Sequence, residues 1–270
     1  MTAVDSLPVA QERALWKQVA LPSEHGGWGL TLEPVLLGML IAPSWGGAAI
    51  GLAAFLSFLV RTPLKLAVID RRRGQWQPRS VVAARIAAAE LHLIAVSALV
   101  ALVASADLRW AVPVAVAAPF VAVELWFDVR SRGRRLVPEL CGSVGIAAVV
   151  AAIVLAGGRP SPLAAGAWLV LGARSIGAIQ FVRVQIMRLR RGAGSTRHSD
   201  AAQVAALLVG AVAVVLDGQL AVGFGWLVLL AVVQVVWVRR APTAAKVLGI
   251  RQMALGVGLV LATTTGVWML

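Results

Sequence analysis

Long apolar runs alternate with short polar stretches along the whole chain. A membrane-spanning helix needs about 20 mainly apolar residues, within a working range of about 17–25. Runs bounded by charge or by Gly/Pro breaks fall at 28–44, 46–66, 86–104, 109–127, 139–156, 163–182, 201–216, 219–238 and 252–270. The first and seventh are short and can borrow flanking residues. No stretch alternates with a period of two, which excludes a β-barrel. The expected fold class is all-α, a polytopic membrane helix bundle of nine transmembrane helices. Residues 1–27 are expected to form an N-terminal segment and residues 28–270 the transmembrane domain.

Composition agrees with this pattern. The chain is 60% hydrophobic and 14% charged, against about 45–50% and about 25% in soluble domains. So much apolar surface needs lipid. The first 20 residues contain Asp5, Glu12, Arg13 and Lys17 and no apolar core segment. They do not read as a signal peptide, so insertion is expected to be driven by the spans.

The formal net charge is +13, and its placement orients the bundle. Basic residues collect in the N-terminal stretch and in every second connection: 61–85, 127–138, 183–200 and 239–251. Of the 25 Lys and Arg, only Arg109 and Arg159 fall in the alternate connections, and Arg174 lies deep within a span. The positive-inside rule therefore puts the N-terminus in the cytoplasm and the C-terminus outside, in a multi-pass protein of the cell (cytoplasmic) membrane. The same rule reads the charge as topology and anionic-lipid contact, not nucleic-acid binding. The expected inner loops are long and basic, and the outer ones tight hairpins. Cys141 is alone, and His25, His92 and His198 are scattered. Neither a metal nor another cofactor is expected from them. No phosphate-binding glycine loop is present either.

Polar residues at membrane depth usually face a cavity or a partner, and five places stand out. The first is Glu24-His25-Gly26-Gly27-Trp28-Gly29 followed by Glu33. Here Glu24 and His25 are a candidate acid/base dyad beside backbone that can approach a ligand closely. The alternative is an interfacial loop anchored by Trp28. The second is Arg61 and Lys65, one turn apart and ahead of Asp70 and Arg71–Arg73, with Pro63 as a possible kink. Such a face suits a phosphate, or else fixes topology. The third, Arg85, Glu90 and His92, reads as a structural pair or as interfacial snorkelling. The fourth is Glu124 and Asp128, one turn apart, able to bind a cation or to pair with arginines. The fifth is Arg174, then Gln180 and Arg183. Arg174 needs either an anionic ligand or a partner such as Glu33 or Glu124.

The stretches EHGGWGLTLEPVLLG, VRTPLKLAVIDRRRGQ and GARSIGAIQFVRVQIMRLRRG resemble the YwiC-like family of bacterial membrane proteins. The layout also resembles the UbiA superfamily of intramembrane prenyltransferases. That resemblance implies nine helices and a cytoplasm-facing cavity. Where that superfamily carries magnesium-binding acidic motifs, this chain has Arg61, Lys65 and one Asp70, then Arg174, Gln180 and Arg183. The expectation is therefore direct capture of an anionic group by cations. The segments around the second and sixth spans are alike in form, which suggests two related halves with a ninth helix appended.

The resulting expectation is a membrane protein that binds or modifies an isoprenoid or other anionic-headed lipid. Arg61, Lys65, Glu124, Asp128, Arg174, Gln180 and Arg183 are the expected binding residues and Glu24 and His25 the catalytic candidates. Whether it is an enzyme is left open. The expected partners are membrane lipids and not nucleic acid. The alternatives are a small-anion or metabolite transporter, for which helices broken at Gly26–Gly29 or Gly177 would be the sign, and a non-enzymatic accessory protein of a membrane complex.

Overall fold

The computed structural model describes Trp16, Val19, Ala20, residues 25–130, 133, 135–192 and 194–270, the side chains of 25, 26 and 129 excepted. Among these residues there is no strand, and nine helices follow one another. They are α1 (His25–Ile41), α2 (Trp45–Arg72), α3 (Pro78–Ala104), α4 (Ala111–Val129), α5 (Leu136–Ala156), α6 (Ser161–Arg191), α7 (Arg197–Leu216), α8 (Ala221–Arg239) and α9 (Ala245–Met269). Eight are long and apolar enough to cross a membrane, and α1 is a shorter apolar helix. The chain is thus a multi-pass membrane helix bundle, and each helix falls on one of the nine apolar runs.

One expectation needs correction. The connections at the basic end are short, not long loops: α2 runs through Arg72 and α3 starts at Pro78. Likewise α6 runs through Arg191 and α9 starts at Ala245. Arg and Lys are good helix formers, so the helices outrun the apolar runs and carry the charge on their own ends. With 28 and 31 residues, α2 and α6 extend roughly 42 and 46 Å, beyond the ~30 Å hydrocarbon layer. Pro63 is accommodated inside α2, and α1 and α6 pass unbroken through Gly27, Gly29 and Gly177.

The two halves repeat one order. In each, a long helix ends in basic residues, near a glycine of positive φ: Gly74 at 64° after α2, Gly192 at 76° after α6. A third helix follows. Then comes a single 3-10 turn capped by an aspartate, Asp107 or Asp217, whose side chain accepts an N–H two residues on. A helix of 19 residues closes each half. Helix α9 stands outside the repeat.

Small residues bring the central helices close, as membrane packing requires without a hydrophobic driving force. Ile153 of α5 fills a groove made by Gly38 of α1 and Gly47 of α2, where an added Cβ would lie 2.8 Å from its side chain. Helices α5 and α6 form the buried centre, around Val150, Val154, Leu163, Ala167 and Val170. Tryptophan N–H groups tie neighbours together: Trp168 to the Val144 carbonyl, Trp226 to that of Leu255, and Trp268 to that of Leu40. Helix α4 is different. It packs on α5, but it has no extensive backbone packing against α2 or α3. That leaves a gap between α2 and α4.

Candidate functional site

A cavity of about 1330 Å³ fills this gap and extends beneath α1 to α9. On α2 its lining runs from Ile50 to Leu64 and on α4 from Val114 to Leu125. Eleven or more residues of rise make it roughly 16 Å deep along the helices. Its two walls differ. The α2–α3–α4 side is apolar beyond its rim, with Ile50, Ala53, Ala101, Trp110, Val114 and Ala118. The α1–α6–α9 side presents Glu33, Arg174 and Gln252. The rim, at the basic end of the helices, carries Arg61, Glu124, Glu139, Arg183 and Lys246.

Part of the rim is an ion network joining α2 to α4. The Arg61 guanidinium donates through Nη1 to Glu124 Oε1 at 2.6 Å and through Nε to Asp128 Oδ2 at 3.1 Å. Lys65 Nζ donates to Asp128 Oδ1 at 2.8 Å. The helical spacing dictates this. Residues 61 and 65, and 124 and 128, are each one turn apart and so share a face. Gly142 of α5 makes room for the network, because a Cβ there would lie 2.3 Å from the Glu124 carboxyl carbon. On the other flank Arg183 Nη1 donates to Glu139 Oε2 at 2.7 Å. Lys246 is exposed and makes no ion pair among the described residues.

Deeper lies a second pair. Arg174 Nη2 donates to Glu33 Oε1 at 3.2 Å and to the Gln252 carbonyl at 2.7 Å. Both side chains are almost fully enclosed, at 3% and 5% exposure. Bare charges at this depth would be prohibitive, so pairing is the condition for their being there. Gly256 makes the space: a Cβ on it would sit 1.8 Å from Glu33 Oε1 and 3.0 Å from Arg174 Nη2. Arg174 lies nine residues from Arg183 on α6, or roughly 13 Å further from the rim.

The structure therefore brings Arg61, Glu124, Arg174 and Arg183 to one cavity, and joins Lys65 and Asp128 to it through Arg61. Gln180 is half-buried and does not line it. Glu24 lies outside the described residues, as does the side chain of His25; only the backbone of His25, at the start of α1, is described. Arg174 does pair with Glu33, and Glu124 and Asp128 pair with cations of α2. Trp28 packs against Phe55 and Phe58 of α2, at ring distances of 6.0 and 5.3 Å. Asp70 is buried away from the cavity, accepting from Ser80 Oγ at 2.7 Å in the α2–α3 turn.

Five contributors escaped the sequence reading: Glu139, Gln252, Gly256, Gly142 and Lys246. A ninth span beginning at 252 leaves Gln252 at its edge. The helix starts two turns earlier, at Ala245, and so places Gln252 well inside. The spacing 249, 252, 256 on one face of α9 was the available signal.

No curated protein and no solved structure matches the chain. A family model described as YwiC-like protein matches residues 21–154. That region spans α1 to α4 and nearly all of α5, and contains Glu33, Arg61, Lys65, Glu124, Asp128 and Glu139. Arg174, Arg183, Lys246 and Gln252 lie beyond it. Over residues 21–154, just under half of its length, the chain is similar to the YwiC-like family.

Proposed function

We propose that the chain binds, or acts on, an isoprenoid or other lipid with an anionic head, in a bundle of UbiA-like architecture whose cavity opens to the cytoplasm. The carrying observation is the cavity's asymmetry: apolar beyond the rim along α2, α3 and α4, charged at the rim. An amphiphile satisfies both at once. Its tail lies against Ile50, Ala53, Ala101 and Val114, within the hydrocarbon layer. Its head lies at the rim, where Arg61, Lys65, Arg183 and Lys246 outnumber Glu124, Asp128 and Glu139. Arg and Lys near an interface attract anionic heads. The basic ends of the helices place the rim on the cytoplasmic side under the positive-inside rule.

Two further points support this reading. The nine helices among the described residues agree in number with the layout that the UbiA resemblance implies. The helices expected to break in a transporter, α1 and α6, are continuous at Gly27, Gly29 and Gly177.

The test is mass spectrometry of lipids that co-purify in mild detergent. An anionic lipid should be enriched over the bulk membrane. Enrichment should fall about tenfold in Arg183→Gln/Lys246→Ala, the scale of one lost charge-assisted hydrogen bond. A lipid profile equal to the bulk membrane, or unchanged in the double variant, refutes the proposal.

A further inference from the structure

The deep polar wall differs from the rim in what it can bind. Its charges cancel, since Arg174 faces Glu33 at 3.2 Å. What remains is the Gln252 side chain, 8% exposed, with neither its amide nitrogen nor its amide oxygen bonded among the described residues. Arg174 Nε is likewise buried and has no hydrogen-bond partner among the described residues. An amide offers one acceptor and two donors, and Nε adds another donor. Buried polar groups are nearly always hydrogen-bonded, so three such atoms on one wall of a cavity point to a guest. There is also room. Gly249 lies one turn before Gln252 on the cavity face of α9, and a Cβ added there would meet no atom within 4 Å.

We infer that Gln252, with Arg174 and the space at Gly249, forms a second site for a neutral hydroxyl- or carbonyl-bearing lipid head. A net-neutral wall gives an anion no net attraction and would desolvate it at depth. A hydroxyl or carbonyl oxygen can accept from Arg174 Nε and the Gln252 amide, and a hydroxyl can donate back to the Gln252 oxygen. The site lies roughly 13 Å below the rim, so it is separate from the rim cations. It rests on the proposed lipid-binding cavity but adds a ligand class that the rim does not select.

The experiment uses the full chain in nanodiscs. The probes are a short-chain menaquinone, geranylgeraniol and geranylgeranyl phosphate. Trp110 lines the cavity, so menaquinone should quench tryptophan emission saturably, and geranylgeraniol should reverse the quench. Gln252→Met keeps the bulk and removes both hydrogen-bonding functions. It should weaken both neutral probes about tenfold and leave the phosphate within about twofold. Gly249→Leu, which adds bulk in the adjoining space, should exclude the neutral probes.

Non-saturable quenching of the wild type overturns the inference whatever the variants do. So does equal binding by wild type and Gln252→Met, which would make the amide a structural group, and so does an equal loss for the phosphate. If the phosphate binds the wild type and the neutral probes do not, this inference falls and the anionic-lipid reading stands. If no probe binds, both fall.

Discussion

Replacing Gly256 with alanine tests whether the Glu33–Arg174 pair holds the deep wall together. The new Cβ would sit 1.8 Å from Glu33 Oε1 and 2.4 Å from its carboxyl carbon. Non-bonded heavy atoms settle near 3.5 Å, so the carboxylate must shift by about 1.5 Å or more. Oε1 already stands 3.2 Å from Arg174 Nη2, and a shift of that size takes it out of hydrogen-bond range. Both groups are enclosed, so no water replaces the lost contact. Breaking a buried pair costs about 3–5 kcal/mol. Partial relaxation lowers this, and a loss of about 3 kcal/mol is expected, less the small helix-propensity gain of alanine. The assay is denaturant or thermal unfolding in mild detergent. Gly249→Ala is the internal control, since a Cβ there meets nothing within 4 Å; it should be neutral or stabilise by up to about 1 kcal/mol. The cycle is closed with Glu33→Ala, which removes the group that Cβ strikes. In that background Gly256→Ala should add almost no further loss. A cost below about 0.5 kcal/mol in the wild type, or one that persists without Glu33, refutes the reasoning.

The other predictions concern the rim, the cavity's access and the outer turn. Gly142→Ala displaces the Glu124 carboxylate, but that group is 22% exposed and can swing outward; unfolding should show a loss of only about 1 kcal/mol, and one as large as at Gly256 would contradict the ranking. Exchanging the partners in Arg61→Glu/Glu124→Arg should recover stability that either single change loses, and no recovery would mean that the α2–α4 network contributes nothing. Because Cys141 is the only native cysteine, Ala53→Cys in a Cys141→Ser background reports access to the cavity; a membrane-impermeant maleimide should label it from the cytoplasmic side alone, and labelling from outside would reverse the proposed orientation. The Arg109 side chain, bonded at 2.8 Å, holds the Asp107 carboxyl below the usual aspartate range. Its contribution is therefore present above the unfolded-state pKa and is lost as pH falls through the lower folded one; a titration of Asp107 by NMR at the ordinary value would contradict this.

How much of this was legible in the sequence differs by level. The helices were, because each span must satisfy its backbone internally and hide it in lipid, which leaves a long apolar run as its mark. Their ends were not. Arg71, Arg72, Arg188 and Arg190 look like loop residues by hydropathy, yet they continue α2 and α6. Arg188 shows why: its guanidinium reaches back to the carbonyls of Val238 and Arg240 at the end of α8, so charge at a helix end is used to cap a neighbour. Arg174 and Glu124 were legible as residues needing partners, since an ion at depth is costly alone. Which partner each takes was not, because contacts 141 and 63 residues apart in sequence depend on how helices rotate about one another.

The glycines carry the rest of the argument. Gly142 and Gly256 lie on helices that contribute no member to the ion contacts they make room for, so nothing local in sequence ties them to Glu124 or Glu33. Yet the space each leaves decides whether that carboxylate can sit between helices at all. A charged side chain is thus placed by three helices: its own, its counter-ion's, and the one that leaves the hole. Glu33, Arg174 and Gly256 sit on α1, α6 and α9; Glu124, Arg61 and Gly142 on α4, α2 and α5. All six of these helices border the cavity, so the cavity is where the two halves of the bundle and the ninth helix have a common polar requirement. Rearranging any one helix would leave an ion unpaired at depth, at about 3–5 kcal/mol if buried. The deep wall of the cavity is therefore held by the same pairs that make burying charge tolerable, and among the described residues no such pair satisfies the Gln252 amide.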